Sequence, residues 1–146
     1  MPAARATLTT MSAPTTTLGS DLLGDFRHAL SRTQPRAVEC LDDSTLARAL
    51  YSSDASIYRV VPRAVAHPRD TEEIAALVSA AADVGLPVTS RGAGTSCAGN
   101  AVGEGLVIDF SRHLHTIRGL DPGARTAVVE PGVVQASLQA AGRPYG

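Results

Sequence analysis

Apolar and polar positions are most regular in the middle of the chain. Residues 64–66 are a short apolar run, which predicts a strand, and a segment with apolar residues at helical spacing begins at Asp70. Asp70 and Glu73 form a capping box, and Gly85 stands where a left-handed C-terminal cap is expected. Residues 87–91 predict a second strand. Strand, capped helix and strand in this order predict a βαβ unit.

Further elements are predicted on both sides of this unit. A helix is expected over 20–30 with Ser20 as its cap, and Asp42 and Asp43 most simply cap a short helix that follows them. Residues 51–62 show no clear period and are expected to form an ordered connection. The remaining predicted elements are strands at 106–110, 116–120 and 125–130, a turn at 121–123, and a helix that carries Val134, Leu138 and Ala141 on one face and ends at Gly142.

These elements divide the chain into three predicted segments. Residues 1–19 are rich in Ala, Thr and Pro without a continuous apolar stretch, and we expect a disordered leader there. Residues 20–57 are expected to form a helical segment, and residues 58–146 a domain of mixed strands and helices. Because the βαβ unit is followed by further strands and a helix, the predicted fold class is α+β.

Composition narrows the functional classes. The chain has 146 residues, of which 44% are hydrophobic and 18% charged, and this is typical of a globular protein. A net charge of −1 argues against a nucleic-acid partner. All 13 basic residues are arginine, so Schiff-base chemistry and a standard P-loop are excluded. No apolar run reaches the length of a transmembrane helix, and we expect a cytoplasmic protein, with peripheral membrane association left open.

The stretch with the clearest chemistry is the loop at 91–100, RGAGTSCAGN. Successive N–H groups in a glycine-rich loop can form a concave nest that binds an anion. Thr95 and Ser96 add hydroxyl donors, and Arg91 adds a positive charge suited to phosphate oxygens. The loop therefore fits a phosphate or pyrophosphate cradle. The alternative is a flexible surface loop in which Gly and Ser only turn the chain, and composition leaves both open.

Two standard phosphate motifs do not match this loop. The dinucleotide fingerprint needs a third glycine where Cys97 stands and a helix directly afterwards, whereas this loop continues into a predicted strand. Gly94 and Gly99 have the spacing of the two glycines in a P-loop (Walker A) motif. Asn100 and Ala101, however, stand where that motif requires a lysine and a Ser or Thr. The loop is thus expected to be a third kind of phosphate binder.

The order of several motifs resembles a PCMH-type FAD-binding domain, the fold of the vanillyl-alcohol oxidase superfamily. Within it, the sequence is most similar to the N-terminal part of FAD-linked 2-hydroxy-acid dehydrogenases of the D-lactate dehydrogenase and glycolate oxidase type. The resemblance covers residues 46–146 and implies that 58–146 is such a domain, incomplete at its C-terminus. The motifs are YSSDASIYRVVPRAVAHP at 51–68, RGAGTSCAG at 91–99, VIDFSR at 107–112 and VEPGV at 129–133.

The resemblance implies that the loop wraps the pyrophosphate of FAD. A turn at Pro131 and Gly132 matches one that approaches the flavin. Thr95 stands where relatives with covalently attached FAD have a histidine, so the implied cofactor is non-covalent FAD. Cys97 occupies a position that is usually apolar, which implies a small packing residue. The implied loop contacts are Arg91, Gly92, Ala93, Gly94, Thr95, Ser96, Gly99 and Asn100.

The implied function is a flavoprotein oxidoreductase. A 2-hydroxy acid such as D-lactate or glycolate would transfer a hydride from its α-carbon to flavin N5 while a base removes the hydroxyl proton. The 2-hydroxy acid would bind only to a full-length form of the protein, because no residue of the present sequence is assigned a catalytic role. Two alternatives stay open: a non-catalytic, truncated nucleotide-binding fragment, and another flavin oxidase of the same superfamily.

The other polar residues are expected to be structural. His113 and His115 lie two apart but have no third ligand, so no metal site is predicted, and exposed histidines are the expected outcome. His28 and His67 stand isolated in the sequence. The carboxylate of Asp109 is expected to be hydrogen-bonded within a strand, and Asp54 and Ser56 are expected to form a turn or cap.

Overall fold

The structure, a computed structural model, describes residues 21–146, so that the predicted leader and Ser20 lie outside the described residues. None of its helices is long and apolar enough to cross a bilayer. The elements in chain order are α1 (Leu22–Thr33), a 3-10 helix (Pro35–Cys40), β1 (Leu41–Asp42), α2 (Thr45–Leu50), β2 (Ala64–Ala66), α3 (Thr71–Val84), β3 (Val88–Arg91), β4 (Leu106–Asp109), β5 (Ile117–Asp121), β6 (Thr126–Val129), α4 (Gln135–Gly142) and a second 3-10 helix (Arg143–Tyr145).

The main sheet has four strands in the order β1-β2-β4-β3. β4 pairs in parallel with both neighbours, and Val107 lies opposite Val65 on one side and Thr89 on the other. β1 adds an antiparallel edge. The predicted βαβ unit is confirmed as β2, α3 and β3, but its two strands are not neighbours because β4 inserts between them.

One face of this sheet carries the main core, where α1 and α3 pack together. Alternate side chains of β2 and β4 point into it, and the intervening Val65 and Val107 are also fully buried. Each large side chain buried there stabilises the fold by about 1.5–3 kcal/mol. The core residues are Phe26, Ala29, Leu30, Ala37, Cys40, Ala64, Ala66, Leu77, Ala80, Ala81, Leu86, Leu106 and Ile108.

The capping signals of α3 are formed almost as predicted. The Asp70 carboxylate accepts a hydrogen bond from the Glu73 N–H at 2.8 Å, and Gly85 ends the helix with φ of 71°. The Glu73 carboxylate accepts from the N–H of Arg69, at 2.8 Å, rather than from that of Asp70. The reciprocal half of the capping box is therefore shifted by one residue.

The caps of the first two helices differ from expectation. Asp21 caps α1 by accepting the Gly24 N–H at 3.0 Å. The prediction that Asp42 and Asp43 cap α2 is wrong, because the hydroxyl of Ser44, directly before the helix, accepts the Ala47 N–H at 3.2 Å. Asp42 instead accepts the Ser44 N–H at 2.9 Å, and Asp43 pairs with a distant arginine of α1.

β5 and β6 form the predicted antiparallel hairpin, and α4 follows it. The Glu130 carboxylate supports the hairpin by accepting hydrogen bonds from the Thr116 N–H and the Arg118 guanidinium. No residue of α4 is buried, and of its predicted apolar face Leu138 is half-buried while Val134 is 59% exposed. This end of the described chain therefore presents apolar surface to solvent.

His67, which follows β2, is not isolated as the sequence suggested. Its side chain is 12% exposed, its ring meets that of Tyr51 edge-on at 5.7 Å, and Nδ1 lies 3.9 Å from the Asp109 carboxylate. Within residues 21–146, this Nδ1 has no hydrogen-bond partner. Burial, and then the charge of Arg112, hold the pKa of His67 below its ordinary value, although Asp109 opposes this. The ring is therefore neutral at pH 7.

We predict that Asp70→Ala lowers the free energy of unfolding by about 1 kcal/mol, because the Glu73 N–H loses its acceptor at the start of α3. Urea denaturation measures the change. Asp70→Asn keeps an acceptor at the cap and serves as the matched control, with an expected loss of only a few tenths of a kcal/mol. Equal losses in the two variants would contradict a capping role.

We predict that His67 makes stability depend on pH. Its folded-state pKa is lowered, so its contribution is full above the unfolded value of about 6.5 and is lost as pH falls through the folded value. Wild-type unfolding free energy should therefore fall below pH 6.5, by at most about 1.4 kcal/mol per pH unit for one proton. Urea denaturation between pH 5 and 7.5 should show a weaker dependence in His67→Gln, whereas His115→Gln, which changes an exposed side chain, should match wild type. Identical profiles for all three proteins would contradict the prediction.

Candidate functional site

Three parallel strands end at one edge of the main sheet, and each brings a polar side chain there. Arg91 is the last residue of β3, Asp109 is the last residue of β4, and the two are paired in register. His67 directly follows β2. Ligands of parallel sheets commonly bind beyond the carboxyl ends of the strands. The glycine-rich loop begins at this edge, because it continues directly from β3.

Tyr51 lies across this edge and contacts all three side chains. Its hydroxyl donates a hydrogen bond to Asp109, and the Arg91 guanidinium carbon lies 5.0 Å from the centre of its ring. Asp109 also accepts from Ser111, at 2.7 Å from the N–H and 2.6 Å from the hydroxyl. The expectation of a hydrogen-bonded structural carboxylate at Asp109 is confirmed. Tyr51 opens the YSSDAS motif, but nothing in its sequence spacing indicated these contacts.

The hydrogen bonds around Asp109 set the charges of this cluster. Burial alone would raise the pKa of Asp109, but the hydrogen bonds from Ser111 and Tyr51 outweigh it, and the carboxyl titrates below its ordinary range. Burial, together with the hydrogen bond to Asp109, raises the pKa of the Tyr51 phenol. At neutral pH, Asp109 is therefore a carboxylate and Tyr51 a protonated donor.

The Arg91 side chain turns toward the protein backbone. Its Nη1 donates to the carbonyl oxygens of Ser53, at 2.9 Å, and Ala101, at 3.0 Å. These carbonyls belong to the connection after α2 and to the far end of the glycine-rich loop. Arg91, which was predicted to contact a phosphate, thus uses one of its two amino groups to hold the loop in place. The positive charge of the guanidinium remains beside the loop.

A second set of hydrogen bonds fastens the loop to residues 51–56. The Ala55 N–H donates to the Gly94 carbonyl at 3.0 Å, and the Ala101 N–H donates to Asp54 Oδ2 at 3.3 Å. The other oxygen of Asp54 accepts the Ser56 N–H at 2.9 Å, which confirms the predicted turn. The connection at 51–56 therefore acts as a support for both halves of the loop.

Two glycines of the loop are required by its conformation. Gly94 and Gly99 have φ of 68° and 79°, in the left-handed region that favours glycine. A Cβ at Gly94 would collide with the Arg91 guanidinium, and one at Gly99 would lie 2.6 Å from the Tyr58 ring. The backbone path that the loop takes therefore needs glycine at these two positions.

Among residues 21–146, most N–H groups of the loop have no hydrogen-bond acceptor. Ser96 Oγ accepts the N–H groups of Ala98, at 3.3 Å, and Asn100, at 3.1 Å. The side chain of Cys97 is exposed, so its predicted packing role is wrong, because this part of the loop stands away from the core. Within residues 21–146, the loop N–H groups without an acceptor are those of Gly92, Ala93, Gly94, Thr95, Ser96, Cys97 and Gly99.

The turn at Pro131 and Gly132 lies against the end of β4. Pro131 is exposed, whereas Gly132 is buried and donates its N–H to the Leu114 carbonyl at 2.8 Å. A Cβ at Gly132 would collide with the carbonyl oxygens of Phe110 and Leu114. Among the described residues, no hydrogen bond joins this turn to the glycine-rich loop.

Two other places on the molecule were candidates for a site. A cavity of about 430 Å³ opens beside α2, and three of its polar lining residues, Tyr51, Asp109 and Ser111, already bond to one another. His113 and His115 are exposed, and across residues 21–146 no group of three or more His, Cys, Asp or Glu side chains is arranged to hold a metal ion.

Comparison with known proteins identifies the family of this chain. Residues 62–146 match the family described as the FAD binding domain. D-2-hydroxyglutarate dehydrogenase of Pantoea ananatis is 40% identical over 98 residues, which are 65% of this chain and 10% of that protein. Glycolate oxidase subunit GlcD of Bacillus subtilis is 37% identical over 98 residues, 66% of this chain and 21% of that protein. The chain thus spans between a tenth and about a fifth of the length of these relatives.

Solved structures share the fold. Alkyldihydroxyacetonephosphate synthase superposes with a TM-score of 0.68 at 20% identity, covering 84% of this chain and 25% of that one. Xylooligosaccharide oxidase from Myceliophthora thermophila gives a TM-score of 0.59 at 26% identity, covering 77% of this chain and 24% of that one. Because the family match covers more than half of the chain and contains the whole glycine-rich loop, the chain belongs to the FAD binding domain family.

Proposed function

We propose that the glycine-rich loop binds the pyrophosphate of FAD. The observation that carries this proposal is the row of loop N–H groups without an acceptor, at the carboxyl edge of a parallel sheet. Pyrophosphate oxygens only accept hydrogen bonds, and the unpaired N–H groups of the loop only donate them, so the two are complementary. The proposed contacts are Arg91, Gly92, Ala93, Gly94, Thr95, Ser96, Gly99 and Asn100, with Pro131 and Gly132 as a second, smaller contact.

The structure fits FAD in two further respects. Gly92 has no atom within 4 Å of the position that a Cβ would occupy, so the backbone there is open to close approach by a ligand. Arg91 keeps a positive charge at the start of the loop, which favours a polyanion. Thr95 offers an exposed hydroxyl as a donor, and we propose that FAD is held without a covalent bond.

We propose that the whole protein oxidises a 2-hydroxy acid. The two relatives described above are named for D-2-hydroxyglutarate and glycolate, which are both acids of this class. FAD, when bound, supplies at N5 the acceptor for a hydride from the α-carbon of such a substrate. The role of this chain in that reaction is to bind and orient the cofactor. Its two cysteines are free, which suits a cytoplasmic location.

We propose that the base and the substrate site lie in segments that this chain does not match. The matched residues are 10% and 21% of those relatives, so most of the length of each relative lies outside the matched part. By itself, the chain would then act as a nucleotide-binding unit without turnover.

Ligand titration tests the binding proposal directly. We expect the purified 146-residue chain to bind FAD and ADP, which share the pyrophosphate, and not riboflavin, which lacks it. Quenching of flavin fluorescence follows FAD and riboflavin, and displacement of FAD follows ADP. Equal affinity for riboflavin and FAD, or no FAD binding, would contradict the proposed cradle. Bleaching of bound flavin by D-2-hydroxyglutarate, D-lactate or glycolate would contradict the placement of the catalytic groups elsewhere.

We predict that Gly92→Ala weakens FAD binding by about tenfold or more, equivalent to about 1.4 kcal/mol, because its methyl group would occupy the approach to the phosphates. Its φ is not in the left-handed region and its surroundings are open, so the free energy of unfolding should stay within about 0.5 kcal/mol of wild type. Gly142→Ala, equally open but at the end of α4, is the matched control and should leave the dissociation constant unchanged. Unchanged FAD affinity in Gly92→Ala would remove Gly92 from the site.

A further inference from the structure

We infer that Tyr51 and Asp109 are positioning residues for the cofactor loop, because they hold the Arg91 side chain where it joins the far end of the loop to the connection after α2. The inference rests on the proposed function, since it concerns how the FAD-binding loop keeps its shape. Neither residue is part of the loop, and neither is among its proposed FAD contacts.

The first step is the register of β3 and β4. Arg91 and Asp109 are paired as the last residues of adjacent parallel strands, so their side chains leave the same face of the sheet. Opposite charges placed in this way would ordinarily form an ion pair, yet among the described residues no salt bridge joins them. Tyr51 instead contacts both, since its ring faces the guanidinium and its hydroxyl donates to the carboxylate.

The second step is the consequence for the Arg91 donors. Because the Tyr51 hydroxyl occupies Asp109 Oδ2, and Ser111 occupies the other oxygen, the guanidinium remains available for the backbone. It donates to the carbonyls of Ser53 and Ala101, which lie on opposite sides of the loop junction. A long side chain loses rotamer freedom when it is fixed, and the aromatic face of Tyr51 offsets part of that loss.

The third step is the space that Arg91 fills. Its guanidinium occupies the position that a Cβ of residue 94 would need, so Gly94 and Arg91 are fitted to each other. The Gly94 carbonyl accepts the Ala55 N–H, and the Ala101 N–H donates to Asp54. Displacing the guanidinium would therefore loosen the two amide hydrogen bonds that dock the loop on residues 54–55. These two amides report on loop docking whether or not FAD is bound.

Amide hydrogen exchange of the FAD-free chain, followed by NMR, tests the inference. Tyr51→Leu should speed exchange of the Ala55 and Ala101 amides about tenfold or more, while the Leu106 and Gly132 amides, bonded elsewhere, stay at wild-type rates. Tyr51→Phe keeps the aromatic face and loses the hydroxyl, so its effect should be smaller and still confined to Ala55 and Ala101. Tyr145→Phe, at an exposed tyrosine in the final 3-10 helix, is the control and should change none of the four rates.

The outcomes separate positioning from general stability. Wild-type rates at Ala55 and Ala101 in Tyr51→Leu would overturn the inference, and so would equal acceleration of all four amides in Tyr51→Phe. If Tyr51→Leu does not fold, Tyr51→Phe decides alone. Asp109→Asn, which cannot accept from both Tyr51 and Ser111 in the same way, should reproduce the pattern of Tyr51→Phe.

FAD titration of the same variants links the inference to the proposed function. The dissociation constant should rise from wild type to Tyr51→Phe to Tyr51→Leu, reaching about tenfold in the last. Failure of the wild-type chain to bind FAD would contradict the proposed function, whereas the amide exchange would still decide the role of Tyr51. FAD binding that is equal in all variants, with unchanged exchange at Ala55 and Ala101, would overturn the inference and leave the proposed function standing.

Discussion

The parallel pairing of β4 with both β2 and β3 is the constraint on which the rest of the site depends. It brings the carboxyl ends of three strands to one edge of the sheet and aligns Arg91 with Asp109. The alignment places a cation and an anion side by side. Tyr51 contacts both, because its ring faces the Arg91 guanidinium and its hydroxyl donates to the Asp109 carboxylate. Without β4 between the two strands of the βαβ unit, Asp109 would not lie beside Arg91, and the guanidinium would lack this neighbouring charge.

In the loop that starts at this edge, different backbone groups hold the loop's shape and remain free for a ligand. Its shape is held by the carbonyls of Gly94 and Ala101, which accept from Ala55 and Arg91, and by the Ala101 N–H, which donates to Asp54. Most of its N–H groups are left without acceptors and remain available for a ligand. A loop that is already fixed loses less conformational entropy on binding, so the arrangement favours affinity for a polyanion. The exposed Thr95 adds a hydroxyl without taking part in either set of internal contacts.

Local features could be predicted from the sequence, whereas contacts between distant segments could not. The helix that begins after Asp70 and ends at Gly85 was predictable because its caps lie within a few residues of the groups they satisfy. The cap of α2 was misassigned because Asp42, Asp43 and Ser44 are all competent cap residues, and only the path of the backbone selects Ser44. Tyr51 was missed because its partner Asp109 is 58 residues away, and neither residue type indicates the other.

The sequence by itself determined the order of the four α-helices and of β2 to β6, the α+β class and the chemistry of the glycine-rich loop, because propensity, capping and glycine content act over a few residues. The tertiary structure decided which donors of that loop are free and where the Arg91 charge is held. It did so because each hydrogen bond needs an acceptor at a set distance, and those acceptors come from Ser53 and Asp54, 38 and 47 residues from their donors in the chain. The same dependence on distant neighbours buried His67 beside Tyr51 and Asp109, which its sequence position did not indicate, while Cys97 is exposed against expectation.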